Sequence, residues 1–384
     1  MFTSGISFKN FELKKKSSDI KKKLKNIIKE NSEIVKSLKV NYTDSYKKNN
    51  LKKYKNFKNI RIIGMGGSSL GTQAIYNFLK HKIKKKIFFI DNLILKTEKL
   101  NNKKSLNLIV SKSGNTIETI VNSNIYIKKS DKNIFITENK QNYLRLLAEK
   151  LKGEIIHHNN FIGGRYSVLS EVGMLPAELM GLNSKKFRQF NNLIRNKNYL
   201  NALILNVSST IYFLKNKKFN SVIINYDQKS ENLFYWYQQL IAESLGKNKK
   251  GLLPIISNMP KDNHSVMQLY LDGFENNFFT FFSVREKNST KIIDRNILPT
   301  YNFIKKKRIA DIIFAQKKAT ENVFKKKNIP FRSFEIKKRD EKTLGELFCF
   351  FILETILIGK ALKIDPYDQP AVESIKKETR KILI

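Results

Sequence analysis

What most restricts the fold of this chain is an alternation. Short β-branched runs are followed repeatedly by stretches of helical period. The run Asn59 to Ile63 ends in Gly64-Met65-Gly66-Gly67, and a helical stretch follows from Ser68 to Lys82. Further runs come at Ile87 to Ile90, Leu106 to Val110 and Ile134 to Thr137, interleaved with helical stretches at Thr116 to Ile127 and Tyr143 to Lys152. Apolar runs without polar alternation suit strands buried on both faces, and the helices between them supply the cover. After a mainly helical stretch from about 165 to 215, the alternation resumes. Strands are expected at Ser221 to Asn225, Leu252 to Ile256, Phe278 to Val284 and Phe331 to Ile336. Helices are expected at Leu233 to Leu245, Ser265 to Leu271, Ala310 to Lys325 and Leu344 to Ala361.

The reading is α/β, with two tandem, mainly parallel sheets flanked by helices. Residues 1–55 form an N-terminal helical segment, because Ile20, Leu24, Ile27, Ile28, Ile34 and Val35 fall near a helical period. Residues 56–200 and 201–364 form the two sheet domains, and 365–384 add a proline turn and a last helix.

Charge is the next constraint. Lys and Arg number 73 against 33 Asp and Glu, a formal net charge of +40. That invites a nucleic-acid partner. Yet only 11 of the cations are Arg, the residue suited to bidentate base and phosphate contacts. The lysines come in short scattered runs, such as Lys14 to Lys16, Lys84 to Lys86 and Lys325 to Lys327, in a chain also rich in Asn and Ile. Compositional bias explains this better, so no nucleic-acid partner is expected, only a modest pull on small anionic substrates. The single cysteine, Cys349, excludes a disulfide framework and a multi-cysteine zinc site. Four histidines leave little room for an all-histidine metal centre. No stretch reaches the ~18 apolar residues of a membrane span. Met1 to Lys16 lacks the apolar core of a secretion signal. A cytoplasmic protein without a membrane partner is expected.

Six segments carry chemistry. In Gly64-Met65-Gly66-Gly67-Ser68-Ser69, glycines at a strand-to-helix turn let a ligand approach the backbone where the helix start favours an anion. A dinucleotide fingerprint is the other reading, with Asp91 as the ribose ligand, although Ser69 stands where its last Gly belongs. Ser111-Lys112-Ser113-Gly114-Asn115-Thr116 follows a strand and offers three hydroxyls and an ammonium to a phosphate, or else a helix cap. Gly163-Gly164-Arg165-Tyr166-Ser167 places a cation beside a flexible pair; a surface salt bridge is the alternative.

Gln239 and Glu243 stand four apart on one face of an apolar helix. A carboxylate there is suited to act as a base near neutral pH, if it is not simply exposed or lysine-paired. His264, before Ser265, is the histidine placed in a turn before a helix; His157-His158 reads as a surface pair. In Asp365-Pro366-Tyr367-Asp368-Gln369-Pro370 a helix start is expected from Asp368 to Ala371, which would align Gln369, Glu373 and Lys376 on one face.

In this order and at these spacings the six segments closely resemble the glucose-6-phosphate isomerase family. The resemblance runs from Gly64 to Lys376. It implies two sugar-isomerase (SIS) domains, a homodimer, and reversible conversion of glucose 6-phosphate to fructose 6-phosphate through a cis-enediol, with no cofactor and no metal. By the same resemblance Ser111, Ser113 and Thr116 bind the phosphate of the sugar, with Lys112 nearby, and Gly67 and Ser68 line the sugar. Glu243 is implied as the base, Arg165 as the cation beside the enediolate, Gln239 and Gln369 as substrate contacts, and His264 with Lys376 as the ring-opening pair. Met65, Asn115 and Asn263 depart from the residues usual there, which are Ile, Thr and Gln.

Two other functions stay open. One is a bifunctional isomerase that also takes mannose 6-phosphate. The other is a non-catalytic sugar-phosphate-binding module, which would keep Ser111 to Thr116 but has no need of Glu243, His264 and Lys376 together.

Overall fold

A computed structural model describes residues 2–13, 17–96, 105–128, 130–286 and 288–384, apart from the Glu373 side chain. The Lys14 to Lys16 run lies outside them.

The chain opens with strand β1 (Ile6–Lys9) and helices α1 (Ser18–Lys29) and α2 (Glu33–Ser37). Ser17 caps α1 by accepting from the backbone N–H of Ile20, and Ile20, Leu24 and Ile27 bury one stripe of it. The first sheet follows in the order of the chain: β2 (Asn59–Ile63), α3 (Leu70–Leu79), β3 (Lys86–Ile90), β4 (Leu106–Val110), α4 (Ile117–Tyr126), β5 (Lys132–Thr137), α5 (Tyr143–Lys150) and β6 (Glu154–His157). Its strands lie in the order β3-β2-β4-β5-β6, every pair parallel. All five residues of β4 are buried, as a strand covered on both faces requires.

Helices α6 (Glu171–Leu179), α7 (Phe190–Leu193) and α8 (Lys197–Lys215) lead to the second sheet. It comprises β7 (Asn220–Asn225), α9 (Glu231–Leu245), β8 (Leu253–Asn258), α10 (Met267–Asp272), β9 (Asn277–Val284), α11 (Ile309–Lys326), β10 (Phe331–Ile336) and α12 (Glu341–Leu362), and α13 (Val372–Leu383) ends the chain. Here the order is β1-β10-β9-β7-β8. β1 joins antiparallel, with Ile6 opposite Ile336 and Lys9 opposite Ser333. The N-terminal segment, read from sequence as helical, thus also supplies an edge strand to the distant sheet. Phe2 and Phe8 hold it there, with ring contacts to Phe334 on β10 and Phe350 on α12.

α12 is buried along almost its whole length and packs against α1, α8 and α9. Its Glu354 carboxylate pairs with buried Arg332, whose guanidinium also donates to Asn206 Oδ1 at 2.7 Å and to Thr280 Oγ1 at 2.9 Å. A buried charge is tolerable only when paired in this way.

Two details shift relative to the sequence reading. Gly66–Ser68 form a 3-10 turn, so α3 starts at Leu70. The last helix starts at Val372, past the proline, so Gln369 precedes it and does not share a helical face with Lys376.

Topology places the site. After β2 the chain crosses to β3 on one side, then returns to β4 on the other. In open α/β sheets the crevice at such a switch, outside the carboxyl ends of the strands, is where ligands bind. The Gly64–Gly67 turn leaves β2 there and the Ser111–Thr116 loop leaves β4 there.

Candidate active site

The Gly64–Gly67 turn is pressed between two other segments. Gly66 has φ +52°, and a Cβ on it would come within 2.8 Å of Gln239 Nε2. A Cβ on Gly67 would meet the Gly164 carbonyl carbon at 2.2 Å and the Arg165 nitrogen at 2.6 Å. Glycine is required at 67 because backbone, not flexible side chain, fills that space. Asp91, the ribose ligand of the dinucleotide reading, instead accepts a hydrogen bond from Gln73.

The loop after β4 gathers hydroxyls and an ammonium, groups chemically suited to an anion. Ser111 Oγ and Thr116 Oγ1 share a hydrogen bond of 2.9 Å. Thr116 stands at the N-cap of α4, yet its side chain makes no capping bond. Its hydroxyl therefore does not serve the helix, which disposes of the capping alternative for this residue. Gly114 takes φ +65° against Asn142, and the Ser113 hydroxyl accepts from Asn115 N at 3.3 Å. Lys112 is half-buried, and burial pushes its ammonium down from the usual lysine range, with Glu138 opposing and Lys140 and Arg165 adding to the shift. A desolvated cation beside hydroxyls suits a phosphate.

Across the crevice α9 presents Gln239 and Glu243. Gln239 Nε2 donates to Glu243 Oε1 at 2.8 Å, while its own Oε1 is buried with no partner among the described residues. Glu243 Oε2 lies 3.4 Å from Arg165 Nη1. The Glu243 side chain is 28% exposed and that of Arg165 only 1%. A carboxylate thus faces the crevice against a cation fixed behind it.

Arg165 is held at every nitrogen. Nε donates to Ser244 Oγ at 2.8 Å and Nη1 to Gln369 Oε1 at 2.7 Å. Nη2 donates to the carbonyls of Pro366 at 2.8 Å and Asp368 at 2.9 Å. Trp236 Nε1 donates to the Arg165 carbonyl at 3.2 Å. Tyr166 bonds Ser244 Oγ at 2.9 Å and donates to the Pro366 carbonyl at 3.0 Å, and burial pushes its phenol up to about 12, so it stays a donor.

The structure therefore brings together Gly67, Arg165, Gln239, Glu243 and Gln369, and gathers Ser111 and Thr116 in one loop with Lys112 and Ser113. It leaves His264 exposed in the turn after β8, and among the described residues no hydrogen bond or ion pair joins it to Glu243 or Arg165. Lys376 lies on α13, exposed throughout its described side chains. The supporting roles of Ser244, Tyr166 and Trp236 were not assigned from sequence; spacing along α9 placed Trp236 and Ser244 on the helix without showing which segment they meet. His158, read as half of a surface pair, is buried with its Nδ1 3.9 Å from Glu171 Oε1.

Comparison with known proteins finds clear relatives. Residues 7–253 match the phosphoglucose isomerase family. The chain is 34% identical over 362 residues to the glucose-6-phosphate isomerase of Methanocaldococcus jannaschii, covering 88% of each protein. Among solved structures, a hypothetical protein from Thermus thermophilus superposes with a TM-score of 0.83 at 21% identity, over 95% of this chain and 94% of that one. A glucose-6-phosphate isomerase from Chlamydia trachomatis superposes with a TM-score of 0.72 at 17% identity, over 95% and 83%. At those identities the structural likeness speaks for the fold.

Proposed function

This chain belongs to the phosphoglucose isomerase family, and on that premise we propose that it interconverts glucose 6-phosphate and fructose 6-phosphate at the site around Glu243 and Arg165. It is an aldose–ketose isomerase. One observation carries the assignment of the site: a partly exposed carboxylate stands 3.4 Å from a guanidinium whose other donors are all engaged.

Moving a proton between C2 and C1 requires a base on one face of the sugar and a fixed positive charge for the developing enediolate oxygen. Glu243 takes the proton from one carbon and returns it to the other. Arg165 stays protonated throughout, so it stabilises charge without entering the proton transfer. The amide of Gln239 orients Glu243, and its buried oxygen is available to a sugar hydroxyl.

Ser111, Ser113 and Thr116 with Lys112 hold the phosphate away from the reacting carbons, where binding energy can be used for orientation. Gly67 and Ser68 border the sugar, and Gln369 contacts it beside Arg165. Ring opening moves a proton from the anomeric hydroxyl to the ring oxygen, a task suited to an imidazole. His264 and Lys376 are assigned that step. The family resemblance further implies that His264 reaches the site of a partner subunit in a homodimer, and its exposed position in the turn after β8 leaves it accessible to such a partner. A cytoplasmic setting belongs to the same proposal.

No step is assigned to a metal or cofactor. A coupled assay of fructose 6-phosphate conversion in excess EDTA tests this. Activity should persist; loss restored by a divalent ion would overturn the route.

A further inference from the structure

Two of the acceptors that orient Arg165 are backbone carbonyls, those of Pro366 and Asp368. They belong to a stretch between α12 and α13 without regular secondary structure. Carbonyls on such a stretch can aim a guanidinium only if something else fixes the stretch. Lys247 does so from just beyond the site helix. It stands just past Gly246, where α9 ends, four residues beyond Glu243. Its ammonium donates to the Asp365 carbonyl and pairs with the Asp368 carboxylate. The Lys247 side chain is only 11% exposed, unlike that of Asp368 at 54%. The far side of the turn is tied down separately, Tyr367 donating to Glu30 at 3.2 Å.

We infer that Lys247 is a positioning residue for Arg165: by fixing the 365–369 turn it fixes the carbonyls that orient the guanidinium towards Glu243. This rests on the isomerase reading above. Among the described residues the hydrogen bonds of the Lys247 ammonium go to Asp365 and Asp368 of that turn, which also carries Gln369, and to none of the other proposed substrate contacts. Its effect should therefore appear in turnover and should require Arg165.

The test is a double-mutant cycle on the full-length enzyme, with steady-state kinetics on fructose 6-phosphate. Lys247→Met keeps the aliphatic stem and removes the ammonium. It should lower kcat about tenfold while KM moves less than about twofold, since misorienting a fixed charge costs mainly transition-state stabilisation. Lys247→Arg should recover most of that loss. In an Arg165→Lys background, where the turn has no guanidinium to aim, Lys247→Met should change kcat by less than about twofold. Equal factors in both backgrounds, or unchanged turnover in Lys247→Met, would overturn the inference. If Lys247→Met does not fold, Asp368→Asn removes the same ion pair from its exposed end and is read in the same cycle. An inactive wild-type enzyme would reject the isomerase reading instead, which keeps the two failures apart.

Discussion

Glu243 has an amide at 2.8 Å on one oxygen and a guanidinium at 3.4 Å from the other. Replacing it with Gln keeps shape and removes the ability to take a proton. Glu243→Gln should abolish proton exchange at C2 while substrate binding stays largely intact. Residual turnover above about a tenth of wild type, by isotope exchange or coupled assay, would show that another group is the base. At the phosphate loop, local sequence could not separate a helix cap from an anion ligand, because both want a hydroxyl at a helix start. In the structure the Ser111 hydroxyl, just past the end of β4, bonds Thr116, whose side chain makes no capping bond. Ser113→Ala combined with Thr116→Ala should weaken binding of the phosphorylated sugar far more than any activity on the unphosphorylated one. Each hydrogen bond lost to a charged group is worth about 1.5–3 kcal/mol. Equal affinity before and after, by calorimetry, would move the phosphate site elsewhere.

At the scale of elements, apolar periodicity was a reliable guide wherever a segment is covered by its sequence neighbours, as β4 and β10 are. It failed where the partner is remote. The four residues of β1 make a strand only because β10 offers an open edge more than 300 residues later. The last helix was misplaced by a few residues because the stretch before it is organised by Arg165 and Lys247, not by its own capping residues. His158 was misread for the same reason: β6 looks terminal in sequence, but α6 returns to bury the ring against Glu171. That burial pushes the imidazole down to about 4 from an ordinary 6.5, with Lys112 and His157 adding to the shift and the Asn159 carbonyl opposing it. Between those two values the unfolded chain holds a proton that the folded chain refuses. Stability is therefore fully present above the upper value and falls as pH drops through the window, by up to about 3 kcal/mol from this group. Glu171, whose carboxyl burial pushes upward, works in the opposite sense, on the upper side of its ordinary range. Urea denaturation of wild type and His158→Gln isolates the histidine. The variant should lose less stability on acidification, and parallel losses would assign the effect to other groups.

On the scale of the whole molecule, the two sheets and the order of the motifs were legible from sequence, because the glycine turn and the hydroxyl loop must leave adjacent strands at a topological switch. The subunit that His264 serves is implied by the family resemblance alone, since nothing in a linear chain says which copy a turn will face. In one chain Glu243 is joined to Arg165 and Gln239, while His264 sits exposed beyond edge strand β8. If each site combines Glu243 of one subunit with His264 of the other, Glu243→Gln and His264→Gln homodimers should each be nearly inactive. A mixed dimer then has one site carrying both lesions and one carrying neither. Refolding the two variants together in equal amounts makes about half of the dimers mixed, so activity should return to about a quarter of wild type by two-fold symmetry. If one chain supplied both groups, every site would carry a lesion and mixing would restore nothing. That result, with mixed dimers confirmed by native mass measurement, rejects the shared site.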